Sequence, residues 1–161
     1  MNILELRDFA IKKHGDQKYG EHPYVFHLDM VYEVSLSHGL PPVVNRASIG
    51  HDLKEDTNVT EQEIVANFGE EEAKLIEAVT DEPGKNRKEK KAATYPKIKA
   101  NANALAVKLC DRIANVRACR ELGNKGLLEM YQREQPEFEA QLKTDGQYTS
   151  LWEELDRLIK G

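Results

Sequence analysis

Seven residues, HDLKEDT at positions 51–57, carry the densest chemistry in the chain. They set His51 and three carboxylates, Asp52, Glu55 and Asp56, between flanks of small residues, RASIG and TNVT. On a helix, His51 and Glu55 stack on one face and Asp52 and Asp56 form a second pair beside them. His51 and Asp52 point in neighbouring directions and can share one metal ion. Glu55 and Asp56 lie about one turn further on, roughly 5.4 Å along the axis. There they can take a proton from, or return it to, a water that the ion activates. The plainer alternative is a charge pattern on a solvated surface helix, or a helix end running into a turn at Asp56-Thr57.

Three further features bear on that choice. Asp111 sits in NANALAVKLCDRIANVRAC, a segment apolar nearly all round, on the face of Val107, Ala114 and Ala118. A helix of that composition is buried, and an ionised carboxylate inside it must be paired or bind metal. A buried Asp that caps another helix, or pairs with Arg46 or Arg117, satisfies the same demand. His27 lies mid-helix among Tyr24, Val25, Phe26 and Leu28; it is either a hydrogen-bonded core residue or a ligand. Together His27, His51, Asp52 and Asp111 form a nitrogen and oxygen set suited to Mn, Fe, Co, Ni or Zn rather than Ca. The cationic stretch GKNRKEKK is either a solvated helix face or a phosphate clamp.

These residues need a scaffold, and helical periodicity supplies it. ILELRDFAIKKH, YVFHLDMVYEVSLSHG and VVNRASIGHDLKEDT each space apolar residues as helices do. Pro41-Pro42 stops the second, and Gly50 lets another backbone approach closely. TEQE at Thr60 is a capping box for a short helix closed by Gly69. EEEAKLIEAVTD follows, with acids in its first turn where the helix dipole favours them. After a loop at Pro83-Gly84 comes a polar helix ending near Pro96, then the apolar helix around Asp111. GLLEMYQREQ, PEFEAQLK and SLWEELDRLIKG complete the set, the last with Trp152, Leu155 and Leu158 as a packing stripe. The expectation is one all-α domain over residues 1–161, a compact bundle of about eight to ten helices without a strand. The motifs fall within 1–120, and the helices of 122–161 pack on that part.

The 161 residues carry a net charge of −5, with 40% apolar and 32% charged residues. The isoelectric point is about 5.6, so nothing global favours nucleic acid or an anionic membrane. No apolar run approaches the roughly 18 residues of a membrane span, and the N-terminus lacks the features of a signal peptide. Cys110 and Cys119 lie on one helix about 13 Å apart, too far for a disulfide, and fit small core residues in a reducing cytoplasm.

Taken in order, His27, His51-Asp52 and Asp111 resemble the H…HD…D pattern of the HD-domain phosphohydrolases. HGDQKYGEHPYVFHL, HDLKEDT, FGEEEAKLIEAVTDE and VKLCDRIANVR are similar to the hydrolase domain of RelA/SpoT homologues, over roughly residues 1 to 120. The resemblance implies an all-α bundle holding one divalent metal, usually manganese, on His27, His51, Asp52 and Asp111. It implies removal of the 3′-pyrophosphate of guanosine tetra- or pentaphosphate. Glu55 and Asp56 match the acidic pair that activates water. Asn115 matches a contact to the nucleotide's sugar. Lys18, Arg87 and Lys88 fall where the family places basic substrate contacts. Two positions depart from the pattern: Gln17-Lys18-Tyr19 stands where Gln-x-Arg is common, and Leu28 where proline usually follows the first metal histidine. No synthetase or regulatory segment follows the hydrolase part. Two other functions share these residues: an HD nucleotidase or phosphodiesterase acting on another nucleotide, and a non-catalytic nucleotide-binding module. The implied partner is a small nucleotide, and a homo-oligomer stays open.

Overall fold

The computed structural model describes residues 1–161. Ten helical segments follow one another: α1 (Ile3–His14), α2 (Val25–Ser37), α3 (Pro42–Gly50), α4 (Leu53–Asp56), α5 (Glu61–Phe68), α6 (Glu70–Val79), α7 (Arg87–Lys99), α8 (Ala102–Leu122), α9 (Lys125–Leu142) and α10 (Thr149–Lys160). Side-chain caps mark where several of them begin. Asn2, Asn86, Asn101 and Asn124 accept from backbone N–H groups of the first turns of α1, α7, α8 and α9. Each satisfies a donor that the helix itself leaves free. The capping box expected at Thr60 is present, with both reciprocal bonds to Glu63. Gly123 closes α8 in the left-handed conformation, at φ 70°, which glycine adopts without a Cβ penalty.

Helix α8 is the axis of the fold. It packs against α2, α3, α6, α7, α9 and α10. Residues 104–114 of α8 are buried without interruption, Lys108, Asp111 and Arg112 included. One core cluster joins residues from Leu6 in α1 to Ile159 in α10. On α10 the buried stripe is Leu151, Trp152, Leu155 and Ile159, while Leu158 is only partly buried. Both cysteines are free and buried in α8.

Four local expectations change. First, HDLKEDT is not one helix: α3 ends at Gly50, His51-Asp52 forms the junction, and α4 is a single turn. Asp52, at φ −101° and ψ −1°, departs from helical backbone. Gly50 makes room for a ring rather than a backbone: a Cβ there would lie 2.7 Å from two carbons of Phe68. Second, α7 runs through Pro96 to Lys99, and α9 through Pro136 without dividing. Proline removes one backbone donor and crowds the preceding turn. Buried Tyr95 and Ile98 in α7, and Gln135 and Phe138 in α9, hold those turns against the core. Third, a small antiparallel hairpin pairs β1 (Lys18–Tyr19) with β2 (His22–Pro23). Fourth, Asp111 pairs with neither candidate arginine. Arg46 bonds Glu72 and the Phe68 carbonyl, and Arg117 bonds Glu154.

Candidate metal centre and catalytic pocket

Four elements bring the predicted ligands together. α2 supplies His27, the α3–α4 junction His51 and Asp52, and α8 Asp111. His27 Nε2 lies 3.3 Å from His51 Nε2 and 3.0 Å from Asp111 Oδ1. His51 Nε2 lies 3.0 Å from Asp52 Oδ2 and 3.2 Å from Asp111 Oδ1. His27 Nε2 to Asp52 Oδ2 is 3.7 Å. Atoms about 2.1 Å from a shared ion stand about 3.0 to 3.4 Å apart for right-angle to tetrahedral bonds. His27, His51 and Asp111, all buried, therefore fit one divalent metal, and Asp52 stands beside them within reach of His51.

The tautomer of His51 fits as well. Its Nδ1 donates to the Ser48 carbonyl at 2.7 Å, which leaves Nε2 as the lone-pair nitrogen of the neutral ring. Charge points the same way. Burial alone would lower the His51 pKa, but the charges of Asp52 and Asp111 lift it well above the usual imidazole value. Burial would raise Asp52, yet His51 holds it down to about 2. Burial opposes ionisation of Asp111 too, and Lys108 and His51 keep its carboxyl well below the usual range. Two ionised carboxylates thus converge on two imidazole nitrogens, a field that calls for a cation at its centre.

Each carboxylate has a support that the sequence reading missed. Tyr24 OH donates to Asp52 Oδ2 at 2.5 Å. Lys108 Nζ donates to Asp111 Oδ2 at 3.2 Å, while Asp111 Oδ1 faces the histidines. Tyr24 stacks on His14 and Tyr19 stacks on His27, so aromatic rings cover this flank of the cluster. The signal for Lys108 was present: it lies three residues before Asp111 on a helix with no solvated face.

The cluster opens into a cavity of about 290 Å³. Glu55, Asp56 and Asn115 all line it, as does Arg87. Asp56 accepts from Gln17 Nε2 at 3.0 Å, and Gln17 is held in turn by His14. Glu55 accepts from the Asp81 backbone N–H at 3.3 Å. Burial raises the pKa of both carboxyls, with Asp81 adding to it at Glu55. Asn115 is engaged at both ends: its Oδ1 accepts from Tyr19 OH at 2.7 Å and its Nδ2 donates to Asp111 Oδ1 at 3.2 Å.

The remaining predicted contacts fall elsewhere. Lys18 lines a separate cleft between the hairpin and the α8–α9 corner, sharing Asn115 and Tyr131 with the cavity. Lys88 faces a groove between α7 and α9. Lys91 takes its place in the cavity, because positions 87 and 91 share a helix face and 88 turns about 100° away. Lys91 donates to both carboxylate oxygens of Asp81, and burial pushes its pKa down to about 8. Arg112 and Tyr131, also unforeseen, complete this wall.

A site with this geometry has counterparts among known proteins. The sequence profile of the HD domain family matches residues 7–137. The human guanosine-3′,5′-bis(diphosphate) 3′-pyrophosphohydrolase MESH1 is 33% identical, with 98% of this chain and 93% of that protein covered. The guanosine-3′,5′-bis(diphosphate) 3′-pyrophosphohydrolase of Aquifex aeolicus is 36% identical over 71% of this chain and 17% of its own length. Among solved structures, a metazoan orthologue of SpoT that hydrolyses ppGpp superposes with a TM-score of 0.83. It is 23% identical, with 98% of this chain and 93% of that one covered. A protein from Listeria monocytogenes superposes at 0.70 and 23% identity, covering 86% and 96%. By its profile match, its similarity to human MESH1 along nearly the whole of both chains and its fold, the chain belongs to the HD domain family, among the hydrolases of RelA/SpoT type.

Proposed function

We propose that this protein is a metal-dependent pyrophosphohydrolase that removes the 3′-pyrophosphate of guanosine tetra- or pentaphosphate, with manganese as its ion. The observation that carries the reading is one cavity holding the His27–His51–Asp52–Asp111 cluster, the Glu55–Asp56 pair and a cationic wall. The names of the relatives supply the nucleotide.

A divalent ion on the four ligands supplies Lewis acidity, making water available as a nucleophile and offsetting charge on phosphoryl oxygens. The chain's own groups do the rest. Arg87 and Lys91 hold the phosphoryl groups in line for attack. Glu55 and Asp56, with pKa values raised by burial, accept a proton from the attacking water and return one to the ribose 3′ oxygen as its bond to phosphorus breaks. Two adjacent carboxyls whose ionisation burial disfavours suit those two roles. Asn115, held rigid by Tyr19 and Asp111, contacts the sugar. Lys18 borders the neighbouring cleft, where the nucleoside extends. Lys88 turns away from the cavity, so Lys91 replaces it as the phosphate contact.

One domain spans the chain in this reading, with α9 closing the cavity through Tyr131. The reading requires no second copy. No helix is long and apolar enough to cross a membrane. The two free, buried cysteines suit a reducing compartment, and we place the protein in the cytoplasm.

The test is release of inorganic pyrophosphate from guanosine tetraphosphate by purified protein, with and without manganese. Metal-dependent release is expected. Full release by metal-free protein would end the proposal. No release with metal bound would leave the cluster intact and move the substrate to another nucleotide.

A further inference from the structure

The cavity wall contains a buried guanidinium, Arg112, whose ion-pair partner Glu134 is shared with Arg87. Arg112 is 1% exposed and lies between the rings of Tyr131 and Phe138, its carbon centre 4.8 and 4.3 Å from their centroids. Neither Nη1 nor Nη2 has a hydrogen-bond partner. Aromatic faces offset part of the desolvation of a cation, but a buried charge also needs hydrogen-bonding counter-charge. The nearest carboxylate is Glu134, 3.3 Å from Nη2 in an ion pair without hydrogen-bond geometry. Glu134 is committed elsewhere: it accepts from Arg87 Nε at 2.6 Å and from Arg87 Nη2 at 3.2 Å. Arg87 and Arg112 both line the cavity; Glu134 does not, and lines the adjoining α7–α9 groove, which Arg87 also borders. One carboxylate therefore backs two guanidinium groups that face the cavity. Lys91, beside them, is already matched by Asp81.

We infer that Arg87 and Arg112 form an anion subsite for a second phosphoryl group, and that Glu134 is the counter-ion behind it that limits how tightly pyrophosphate is held. Arg87, 43% exposed at its side chain, makes the contact with its free Nη1. Arg112 adds its charge from beneath. A ligand with one phosphoryl group at the metal leaves the subsite empty, while one with two linked phosphoryl groups reaches both. Glu134 weakens the arginine pair enough for the product to leave. The inference rests on the proposed function in taking pyrophosphate as the product.

Titration calorimetry of the metal-loaded chain with inorganic pyrophosphate tests it, with orthophosphate as the single-phosphoryl control. Glu134→Gln keeps the side chain's shape and removes its charge. The variant should bind pyrophosphate about tenfold more tightly, equivalent to about 1.4 kcal/mol, with a much smaller change for orthophosphate. In turnover, KM should fall and product inhibition deepen, which a merely structural role for Glu134 would not produce. Pyrophosphate binding that is unchanged or weaker in folded Glu134→Gln would overturn the inference. Should that variant not fold, Arg87→Met carries the test. It should weaken pyrophosphate binding about tenfold and leave orthophosphate binding nearly unchanged, and equal binding of pyrophosphate would overturn it. A chain that binds pyrophosphate in this way but releases none from guanosine tetraphosphate would end the proposed function and leave the subsite standing.

Discussion

Tyr24→Phe removes one oxygen atom and tests how the metal cluster is held. That oxygen donates to Asp52 Oδ2 at 2.5 Å, on the same atom that lies 3.0 Å from His51 Nε2. The hydroxyl therefore fixes the carboxylate oxygen that faces the histidine cluster. The ring is kept, and with it the stacking on His14 at 4.6 Å and the edge contact with His27 at 5.6 Å. Loss of a hydrogen bond to a charged group costs about 1.5 to 3 kcal/mol. Groups that orient metal ligands contribute roughly 10- to 100-fold in affinity, which is about 1.4 to 2.7 kcal/mol. The two scales agree, so the Kd for manganese should rise roughly 10- to 100-fold. Metal titration of the apo-protein, followed by calorimetry or by the paramagnetic signal of free manganese, reads this directly. At saturating metal most of the turnover should return, because the ligands themselves remain. An unchanged Kd in a folded variant would refute the argument that Tyr24 positions Asp52.

Glu55→Ala should leave manganese affinity close to wild type and lower kcat roughly 10²- to 10⁴-fold; metal titration and turnover on the same sample separate the two effects. Gly50→Ala should lower stability by about 1 to 3 kcal/mol, because the new methyl would meet the Phe68 ring at 2.7 Å and Ile76 at 3.0 Å, and thermal melts measure the loss. Burial would raise the Glu154 carboxyl, but its bonds to His38 and Arg117 hold it below the usual value. A depressed carboxyl stabilises the fold above its unfolded pKa, about 4.3, and loses that contribution as pH falls through the folded value. Denaturant unfolding should therefore find wild type more stable than Glu154→Gln at pH 6, with the gap closing below about pH 4.

Much of this molecule was legible in the chain. Apolar period and the Thr60 capping box located helices, because both signals act within a few residues. The buried setting of Asp111 could be read from the apolar residues around it, and His27 and His51-Asp52 from their motif. What stayed hidden depends on neighbours distant in sequence. Pro96 and Pro136 fail to end their helices because core packing outweighs one lost bond. HDLKEDT breaks at His51-Asp52, yet its four side chains still reach one cavity. Local spacing therefore grouped residues that do share a cavity, by a continuous helix that the chain does not keep. That Asp111 pairs with neither Arg46 nor Arg117 follows from where those arginines find partners, in Glu72 and Glu154. Residue identity set which groups could ionise, ligate or cap. Only the packing of α2, α3, α7 and α9 around α8 decided which of them meet, because distances of about 3 Å between residues more than eighty positions apart come from long-range packing that no local pattern encodes.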